Sequence, residues 1–365
     1  MTPESTPARP LWNRFLRPPA DADDLVSMLM AEIEDREDHE EHDNLDETYP
    51  PFSLDMDRDS LLRRRDEYTA FVSTHRTELF EVLGLWEDEG SRALFIQLML
   101  FRALGHEKVR LDSNTPAFWR AHRQARAMSA SPSNLRDVEG GGSLACFDIP
   151  QPDTTLHVDC LRANVLFTFL LKQYHFNRDG FCVGPREGDH VVDAGACFGD
   201  TAVDFSHAVG SDGRVHSFDV LNSHLQVIRH NIAQNAGGAP IIVHPHGLSD
   251  VAAAGVTVHS AVNPGFSVDR GTGIPLRRLD DLVDSGEVER VDLIKMDVEG
   301  HEGAILRGAR ATISRFRPRL AISLYHRWDD YVRLPLFIRD LNLGYRFYLE
   351  NYTISDGETI MYCIA

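Results

Sequence analysis

A short stretch at residues 190–201 limits what this chain can fold into more than any other part of its sequence. Its apolar residues end in Asp193, and Gly195 and Gly199 follow at once. A helix-compatible segment, Thr201–Val209, comes next, so the stretch predicts a buried strand, a glycine turn and the start of a helix. Glycine has no Cβ, and such a turn therefore lets a ligand approach the backbone closely. Glycines also follow strands in many α/β domains for steric reasons alone.

The spacing of this turn, D-x-G-x-x-x-G, differs from both the phosphate-binding P-loop and the G-x-G-x-x-G of dinucleotide enzymes. A nicotinamide dehydrogenase is therefore disfavoured. A second acid, Asp219, ends the next short strand, 20 positions beyond Gly199. Acids at that place accept hydrogen bonds from ribose hydroxyls, although Asp219 is also suited to cap a helix that starts near Asn222. An acid at the strand end suggests a ligand with a cationic or hydroxyl-rich end, and S-adenosylmethionine fits with its ammonium, sulfonium and ribose.

The third informative stretch, residues 291–302, places three charged side chains at the carboxyl end of an apolar run: Lys295, Asp297 and Glu299. In an open α/β sheet, ligands bind outside the carboxyl ends of the strands. Charges packed there are unfavourable unless they pair with each other, with a substrate or with a metal. A structural pair of Lys295 with Asp297 or with Glu299 is the alternative to a role in binding.

From about residue 155 to its end, the chain resembles the FkbM-type methyltransferases, a branch of the class I enzymes that use S-adenosylmethionine. The matching segments are Val192–Thr201, Arg278–Leu282, Leu293–Glu302, Ile305–Ala309, Arg317–His326 and Glu358–Tyr362. The K-x-D-x-E-G-x-E string within Leu293–Glu302 is the most specific of them. The resemblance implies an α/β, Rossmann-like fold, with a seven-stranded, mostly parallel sheet, helices on both faces and a C-terminal antiparallel hairpin.

The strand pattern supports this fold independently. Strand-like runs alternate with helix-length segments, which is typical of a parallel sheet. The runs are residues 191–193, 215–218, 241–244, 293–298 and 320–325. Two aromatic, β-rich runs, Tyr345–Leu349 and Thr359–Ile364, flank an Asp-Gly turn and predict the hairpin.

The chain departs from the family pattern at three positions of the expected site. The second-strand acid, in the family a Glu followed by Pro, is here Asp219 followed by Val220. An aspartate still accepts from ribose, but over a shorter reach. Cys197 replaces a small or aliphatic residue in the turn, and we interpret it as an apolar filler because methyl transfer requires no thiolate there. His301 adds a titratable group beside Glu302.

The resemblance also implies the contacts of the cofactor. The adenine is expected after the third strand, around residues 246–250. Tyr174 either stacks over the cofactor or belongs to the core. The expected cofactor-binding residues are Asp193, Gly195, Ala196, Gly199, Thr201, Asp219, Val220, Leu248, Ser249, Asp297 and Tyr174.

Methyl transfer to a hydroxyl needs in-line alignment of the acceptor with the methyl group and removal of the hydroxyl proton. The candidate bases are Asp297, Glu299, His301 and His326, and Lys295 joins them as a catalytic candidate. His326 is our first choice for the general base, although it could instead be a structural residue at the end of its strand. Asp297, Glu299 and His326 could also hold a divalent metal ion that acidifies the acceptor hydroxyl. The sequence leaves the metal undecided.

Composition limits which partners the protein is expected to bind and where in the cell it is expected to be. Lys and Arg number 37 against 56 Asp and Glu, and the resulting net charge of −19 opposes binding to nucleic acid. No apolar run is long enough to span a bilayer, and the N-terminus lacks the pattern of a signal sequence. Five scattered cysteines without metal-ligand spacing fit a reducing compartment, so we expect a cytoplasmic protein.

The first 50 residues are expected to be a disordered or acidic N-terminal segment. The acidic run at 32–47 indicates either the solvated end of a helix or a mobile linker. A metal site at His39 and His42 is a weaker alternative.

We expect residues 51–145 to form a helical N-terminal subdomain. Residues 146–365 are expected to form the methyltransferase domain. The segment 91–102 is so apolar that it must be buried, yet it is too short to cross a membrane. Residues 129–143, which include three successive glycines, predict a connector. The subdomain could cover the acceptor pocket or join two copies of the chain into a homo-oligomer.

Together these features predict an S-adenosylmethionine-dependent O-methyltransferase that acts on a small-molecule or glycan acceptor, at a hydroxyl of a sugar or of a secondary metabolite. Two alternatives stay open. An N-methyltransferase acting on a small amine would need no strong base and would tolerate the loss of His326. A catalytically silent cofactor-binding module would use the acidic N-terminal region as its contact surface.

Overall fold

The computed structural model describes residues 18–36, 58–106, 108–136, 138, 144–235, 237–256, 258–259, 267–268 and 273–365. Four predictions concern residues outside this part of the chain: the disorder of the first residues, the acidic run beyond residue 36, the pair His39 and His42, and the three successive glycines of the connector. The described residues form two compact units. The first contains the residues up to Asn114 together with Tyr348–Gly357, and the second contains Thr115–Phe347 and Glu358–Ala365.

The first unit is helical. Its helices are α1 (Ala22–Arg36), α2 (Arg58–Thr74), α3 (Arg76–Leu85) and α4 (Glu89–Leu104). Every residue of α4 from Ala93 to Leu104 is buried, which confirms the prediction that this apolar segment is covered. Asp88 caps α4 by accepting a hydrogen bond from Ser91 N at 2.6 Å. Among the described residues, no helix has both the length and the apolar character needed to cross a bilayer.

The second unit opens with small elements that precede its main sheet. They are α5 (Pro116–Ala127), β1 (Ala130–Pro132), β2 (Ala145–Pro150), β3 (Thr155–Cys160), α6 (Arg162–Asn164), a π-helical turn over Val165–Leu170, β4 (Phe176–Arg178) and β5 (Phe181–Val183). The strand β1 lies inside the predicted connector. It pairs antiparallel with β2, Ala130 opposite Phe147, and this non-local partner explains why its own residues give no strand signal.

The elements that follow are the strands of the main sheet, the helices between them and five short strands outside that sheet. They are β6 (His190–Ala194), α7 (Asp200–Val209), β7 (Arg214–Phe218), α8 (Asn222–Gln234), β8 (Ile241–His244), β9 (Gly247–Leu248), β10 (Ala253–Val256), β11 (Val258–His259), β12 (Ser267–Val268), β13 (Ile274–Arg277), α9 (Leu279–Asp284), β14 (Leu293–Met296), α10 (Glu302–Gly308), α11 (Arg310–Phe316), β15 (Arg319–Ser323), α12 (Asp330–Asp340), β16 (Arg346–Asn351) and β17 (Thr359–Ile364).

Seven of these strands form the main sheet in the order β16-β17-β15-β14-β6-β7-β8. Strands β8, β7, β6, β14 and β15 pair in parallel, and β17 runs antiparallel to β15. This confirms the predicted seven-stranded, mostly parallel sheet with antiparallel strands at its C-terminal end.

The register of the sheet brings three chain segments to one edge. Met296, the last residue of β14, pairs with Ala194 of β6 and with Ile322 of β15. The residues that follow these strands therefore meet at the carboxyl edge of the sheet. Because β17 is antiparallel, its first residues lie at the same edge, with Ser323 opposite Ile360.

Strand β14 ends two residues earlier than the predicted run 293–298. Glu299 and Gly300 adopt left-handed backbone conformations, with φ of +55° and +91°. Such conformations cannot continue a strand. The chain thus turns sharply just after Asp297, and the turn leads directly into α10.

Candidate active site

The glycine turn lies between β6 and α7, as predicted, and it packs against the end of β14. Gly195 has a φ of +78°, and a Cβ on it would overlap the carbonyl oxygen of Asp297. Gly199 also has a φ of +78°, and a Cβ there would lie 3.1 Å from Ile228. Both positions therefore require glycine, because a side chain would be strained and crowded at once. Ala196, between them, is buried in an apolar cluster with Leu225 and Ile228.

Asp193 and Lys295 form a buried pair behind the turn. Lys295 Nζ lies 3.1 Å from Asp193 Oδ1 and donates to the carbonyl oxygens of Gly195 at 2.5 Å and Ala194 at 3.3 Å. Thr201 Oγ1 donates to Asp193 Oδ2 at 2.8 Å. Burial alone lowers the pKa of Lys295, but the charges of Asp193 and Asp297 raise it, so the ammonium stays charged. The partners of Lys295 are thus protein oxygens that hold the turn.

Asp219 ties the glycine turn to the start of α8. Its Oδ2 accepts from Cys197 N at 2.9 Å, and its Oδ1 accepts from Leu221 N at 2.9 Å. His224 Nδ1 lies 3.3 Å away. The Asp219 side chain therefore bonds the backbone just before α8, but it is not the predicted cap, because Leu221 precedes the helix and no side chain caps it. Val220 follows it.

The segment expected to contact adenine borders the same region. Leu248 is the last residue of β9 and Ser249 follows it, and both are buried. A Cβ on Gly308 would overlap the carbonyl oxygen of Ser249, so this loop packs tightly against the end of α10.

Asp297 is the centre of a hydrogen-bonded cluster at the carboxyl edge. Its Oδ2 accepts from Tyr174 OH at 3.2 Å, and its Oδ1 accepts from Tyr325 OH at 3.0 Å. Burial and the charge of Asp297 raise the pKa of both phenols well above the ordinary value. Both hydroxyls therefore stay protonated and donate. Tyr174 is buried, so it belongs to the core and reaches the site with its hydroxyl.

His326 is held between two carboxylates. Its Nδ1 lies 2.8 Å from Glu302 Oε1, and its Nε2 lies 3.3 Å from Asp297 Oδ1. The same Glu302 oxygen accepts from Val298 N at 3.0 Å. Burial by itself lowers the pKa of His326, but the hydrogen bond to Glu302 and the charges of Asp297 and Glu302 raise it to about 9. In the free protein the imidazole therefore carries a proton at neutral pH.

Glu299 and His301 are less involved than the motif suggests. Glu299 is an exposed residue. Partial loss of water around its carboxyl group and the charge of Asp297 raise its pKa, although the charge of His326 opposes this. His301 is the residue just before α10, and its backbone N donates to Val298 O at 3.2 Å. Within the described residues, its imidazole makes no hydrogen bond to the cluster.

Two acids of the cluster were not predicted as site residues. Glu302 is fully buried, and its place as the last residue of the K-x-D-x-E-G-x-E string was the available signal. Glu358 lies just before β17, with a φ of +53°, and its Oε2 accepts from Gln173 Nε2 at 2.8 Å. Burial and the charge of Asp297 raise the pKa of Glu358 to about 7. The segment Glu358–Tyr362 was among those that resemble the family, but only the antiparallel return of β17 shows that Glu358 lies at this edge.

Asp297, Glu302 and His326 each offer one ligand atom within 4.8 Å of the others, a spacing that could hold a metal ion. The predicted set contained Glu299 in place of Glu302. The left-handed backbone at Glu299 directs the chain outward, and the first turn of α10 then returns Glu302 to the interior. The five cysteines are free thiols, and burial raises the pKa of Cys197 well above its ordinary value, in keeping with an apolar filler.

Residues 193–347 match the family model described as the methyltransferase FkbM domain. The matched segment contains the glycine turn, Asp297, Glu302 and His326. No curated protein matches the chain.

The fold is similar to that of a methyltransferase FkbM from Methylobacillus flagellatus KT, with 21% sequence identity and a TM-score of 0.50. The similarity covers 82% of this chain but only 62% of that one. A fibrillarin from Aeropyrum pernix in complex with S-adenosyl-L-methionine matches more weakly, at 14% identity and a TM-score of 0.36 over 65% of this chain and 98% of that one. The first similarity supports the fold, and the second is too low to bear on the substrate of this chain.

Proposed function

Because residues 193–347 match the family model of the methyltransferase FkbM domain, we propose that this protein transfers the methyl group of S-adenosylmethionine to a hydroxyl group of a sugar, a glycan or a secondary metabolite. The observation that carries the proposal is the contact of Gly195 with the carbonyl of Asp297. This contact places the proton-accepting side chains of the cluster directly against the turn where the cofactor is expected.

The cofactor would bind along the carboxyl edge from Asp219 to Asp297. Asp219 already accepts two backbone hydrogen bonds, and a carboxylate has about four lone-pair sites, so it retains capacity for a ribose hydroxyl. Leu248 and Ser249 would border the adenine. The negative charge of Asp297 would attract the sulfonium, whose charge disappears when the methyl group leaves.

The acceptor hydroxyl must lose a proton as the methyl group arrives. The pairing of His326 with Glu302 and Asp297 makes it a poor base at neutral pH, because it already holds a proton. We therefore assign proton acceptance to Glu358, whose hydrogen-bonded partner is the neutral amide of Gln173. Its pKa of about 7 suits a group that must accept a proton near neutral pH. His326 and Asp297 would then orient the acceptor.

The test is the transfer of a tritiated methyl group from S-adenosylmethionine to a panel of neutral sugars, phenols and primary amines. Labelled ethers support the proposal, whereas labelled amines alone favour N-methyl transfer. Glu358→Gln is expected to lower kcat by about 100-fold or more on a hydroxyl acceptor, as loss of a general base does. An amine acceptor that binds in its neutral form would lose far less. Cofactor binding without transfer to any acceptor would favour a silent module.

Cofactor binding is tested separately by calorimetry. Asp219→Ala is expected to weaken binding of S-adenosylmethionine by about 1–3 kcal/mol, the range for a hydrogen bond to a charged group. Asp212→Ala removes an exposed acid from the turn before β7 and serves as the matched control. Circular dichroism of both variants verifies that the domain remains folded. Equal affinity in the two variants would contradict the ribose assignment, and no binding by folded wild-type protein would contradict the proposed function itself.

A further inference from the structure

The geometry points to a divalent metal site at the carboxyl edge, and we propose that His326 Nε2 and Asp297 Oδ1 are its ligands, with Glu302 holding the other ring nitrogen of His326 from outside the coordination sphere. The cluster contains more than acidic groups. Both Nε2 of His326 and Oε2 of Glu302 are buried and have no hydrogen-bond partner among the described residues. The His326 side chain is 1% exposed and that of Asp297 is 23% exposed. The site is thus buried on one side and open to a ligand on the other.

The distance between the two proposed ligand atoms fits a shared ion better than a hydrogen bond. His326 Nε2 and Asp297 Oδ1 are 3.3 Å apart and are not aligned as donor and acceptor. Ligands bound at about 2.1 Å from one ion lie roughly 3.0–3.4 Å apart at octahedral or tetrahedral angles. The pair therefore has the separation of two neighbouring corners of a coordination sphere.

The surroundings of both ligands have the form of a second coordination shell. A metal-bound histidine usually donates its other ring N–H to a carboxylate, which fixes the tautomer and the ring orientation. Here Nδ1 faces Glu302 Oε1 at 2.8 Å, and that oxygen is itself held by Val298 N. Asp297 is fixed in the same way, by the hydroxyl groups of Tyr174 and Tyr325.

The charge of the site also favours a cation. Asp297 and Glu302 contribute two carboxylates, and Glu358 lies close enough to interact with Asp297. The nearby ammonium of Lys295 is bound to Asp193 and to carbonyl oxygens of the glycine turn. A divalent ion bound to Nε2 would displace the proton that His326 otherwise carries, and its second positive charge would offset negative charge that is costly to bury without a partner.

The donor set selects the class of ion. One imidazole nitrogen with carboxylate oxygens suits Mn²⁺ or Zn²⁺ better than Ca²⁺ or Mg²⁺, which prefer oxygen ligands alone. If the proposed function holds, an ion there would also acidify an acceptor hydroxyl. Binding of the ion does not depend on that function, so it is measured by itself.

The experiment uses the full chain after dialysis against EDTA. Mn²⁺ is titrated in, and the free ion is followed by electron paramagnetic resonance, with Zn²⁺ and Mg²⁺ tested as competitors. We expect one site, displaced by Zn²⁺ at far lower concentration than by Mg²⁺. His326→Gln and Asp297→Asn are expected to abolish binding at that site. Glu302→Gln, which preserves side-chain shape, is expected to weaken it about 10- to 100-fold, as loss of an outer-shell partner does.

His157→Gln is the matched control, since His157 forms an exposed pair with Asp148 at 2.6 Å on another sheet. It should bind Mn²⁺ like the wild type. Binding that survives unchanged in His326→Gln, or no site in the wild type beyond the weak binding of surface carboxylates, would overturn the proposal and leave an ion-paired cluster. Failure to bind S-adenosylmethionine would contradict the proposed function but not this result.

Discussion

At the scale of single residues, the site is marked by backbone conformations that side chains rarely adopt. Cys197, Glu299 and Glu358 have φ values of +49°, +55° and +53°, although none is a glycine. They stand in the glycine turn, after β14 and before β17, so the three surround the carboxyl edge. Left-handed non-glycine residues are unfavourable and tend to be kept where function needs them. Four further described residues, Lys172, Asp179, Arg317 and Asn342, share this conformation, so the three do not by themselves locate the site.

The close contact at Gly195 predicts the effect of replacing this residue. Gly195→Ala is expected to abolish cofactor binding and to destabilise the domain, because the new methyl group would overlap the carbonyl of Asp297. Gly188→Ala separates this overlap from backbone strain, since Gly188 has nearly the same φ, +79°, with no atom within 4 Å of its Cβ position. The control should lose about 1–2 kcal/mol from left-handed strain alone and keep its affinity. Calorimetry with S-adenosylmethionine and thermal melts measure both effects. Similar losses in the two variants would show that strain, not contact, makes Gly195 necessary.

At the scale of elements, some helices and strands depend on partners that are distant in the sequence. Helix α11 has no capping side chain from its own N-terminus. Instead, Asp280 of α9 accepts from Thr312 N at 2.8 Å, Thr312 Oγ1 at 2.7 Å and Ala311 N at 3.1 Å. A buried carboxylate thus satisfies free N–H groups of a different helix and benefits from the positive end of its dipole.

Asp280→Ala should therefore lower the free energy of unfolding by about 1–3 kcal/mol, because buried donors of α11 lose their charged partner. Asp281→Ala is the control, since the neighbouring side chain is half-buried and pairs with Arg278 at 3.5 Å. Urea denaturation monitored by circular dichroism measures the difference. If the two variants unfold at the same urea concentration, the cap contributes nothing to stability.

Local sequence patterns predicted some helices and strands correctly and missed others. The parallel strands were located because each is a short apolar run, and Thr359–Ile364 was located with its observed bounds. Helix α1 was not anticipated as a separate element, because its residues were assigned to a disordered or acidic segment, although Leu25, Leu29 and Ile33 lie four residues apart and are buried. Strand β1 was predicted as loop because its strand conformation comes from pairing with β2. Local signals fail where a partner from elsewhere in the chain supplies the hydrogen bonds.

At the scale of the whole molecule, buried histidines couple stability to pH. His216 and His244 lie side by side in β7 and β8, with His216 Nδ1 3.0 Å from His244 Nε2. Burial, followed by the neighbouring histidine charges, lowers the pKa of His216 to about 3 and that of His244 to about 4. In the unfolded chain the two histidines have pKa values of about 6.5.

The sign of the effect follows from these values. The stabilisation from neutral His216 and His244 is fully present above about pH 6.5 and is lost as the pH falls toward 4, because the unfolded chain takes up protons that the folded chain does not. Asp200 acts in the opposite direction, since burial raises its pKa to about 6. We therefore expect the fall in Tm between pH 7.5 and pH 5 to be smaller in His216→Gln than in the wild type. His157→Gln, at a half-exposed position, should retain the wild-type fall, and a parallel fall in all three proteins would contradict the prediction.

The sequence by itself determined the class of the fold and the edge of the sheet at which the site lies. Strand periodicity, the D-x-G-x-x-x-G turn and the K-x-D-x-E-G-x-E string are local patterns, and the residues that follow parallel strands must meet at one edge. Only the tertiary structure decided which side chains converge there and in what state. Lys295 binds the glycine turn, Glu302 returns through α10 to hold His326, and Glu358 arrives on an antiparallel strand. These contacts depend on register and on burial. Burial and the neighbouring charges together set the proton affinity of each group, and no local pattern of residues encodes them.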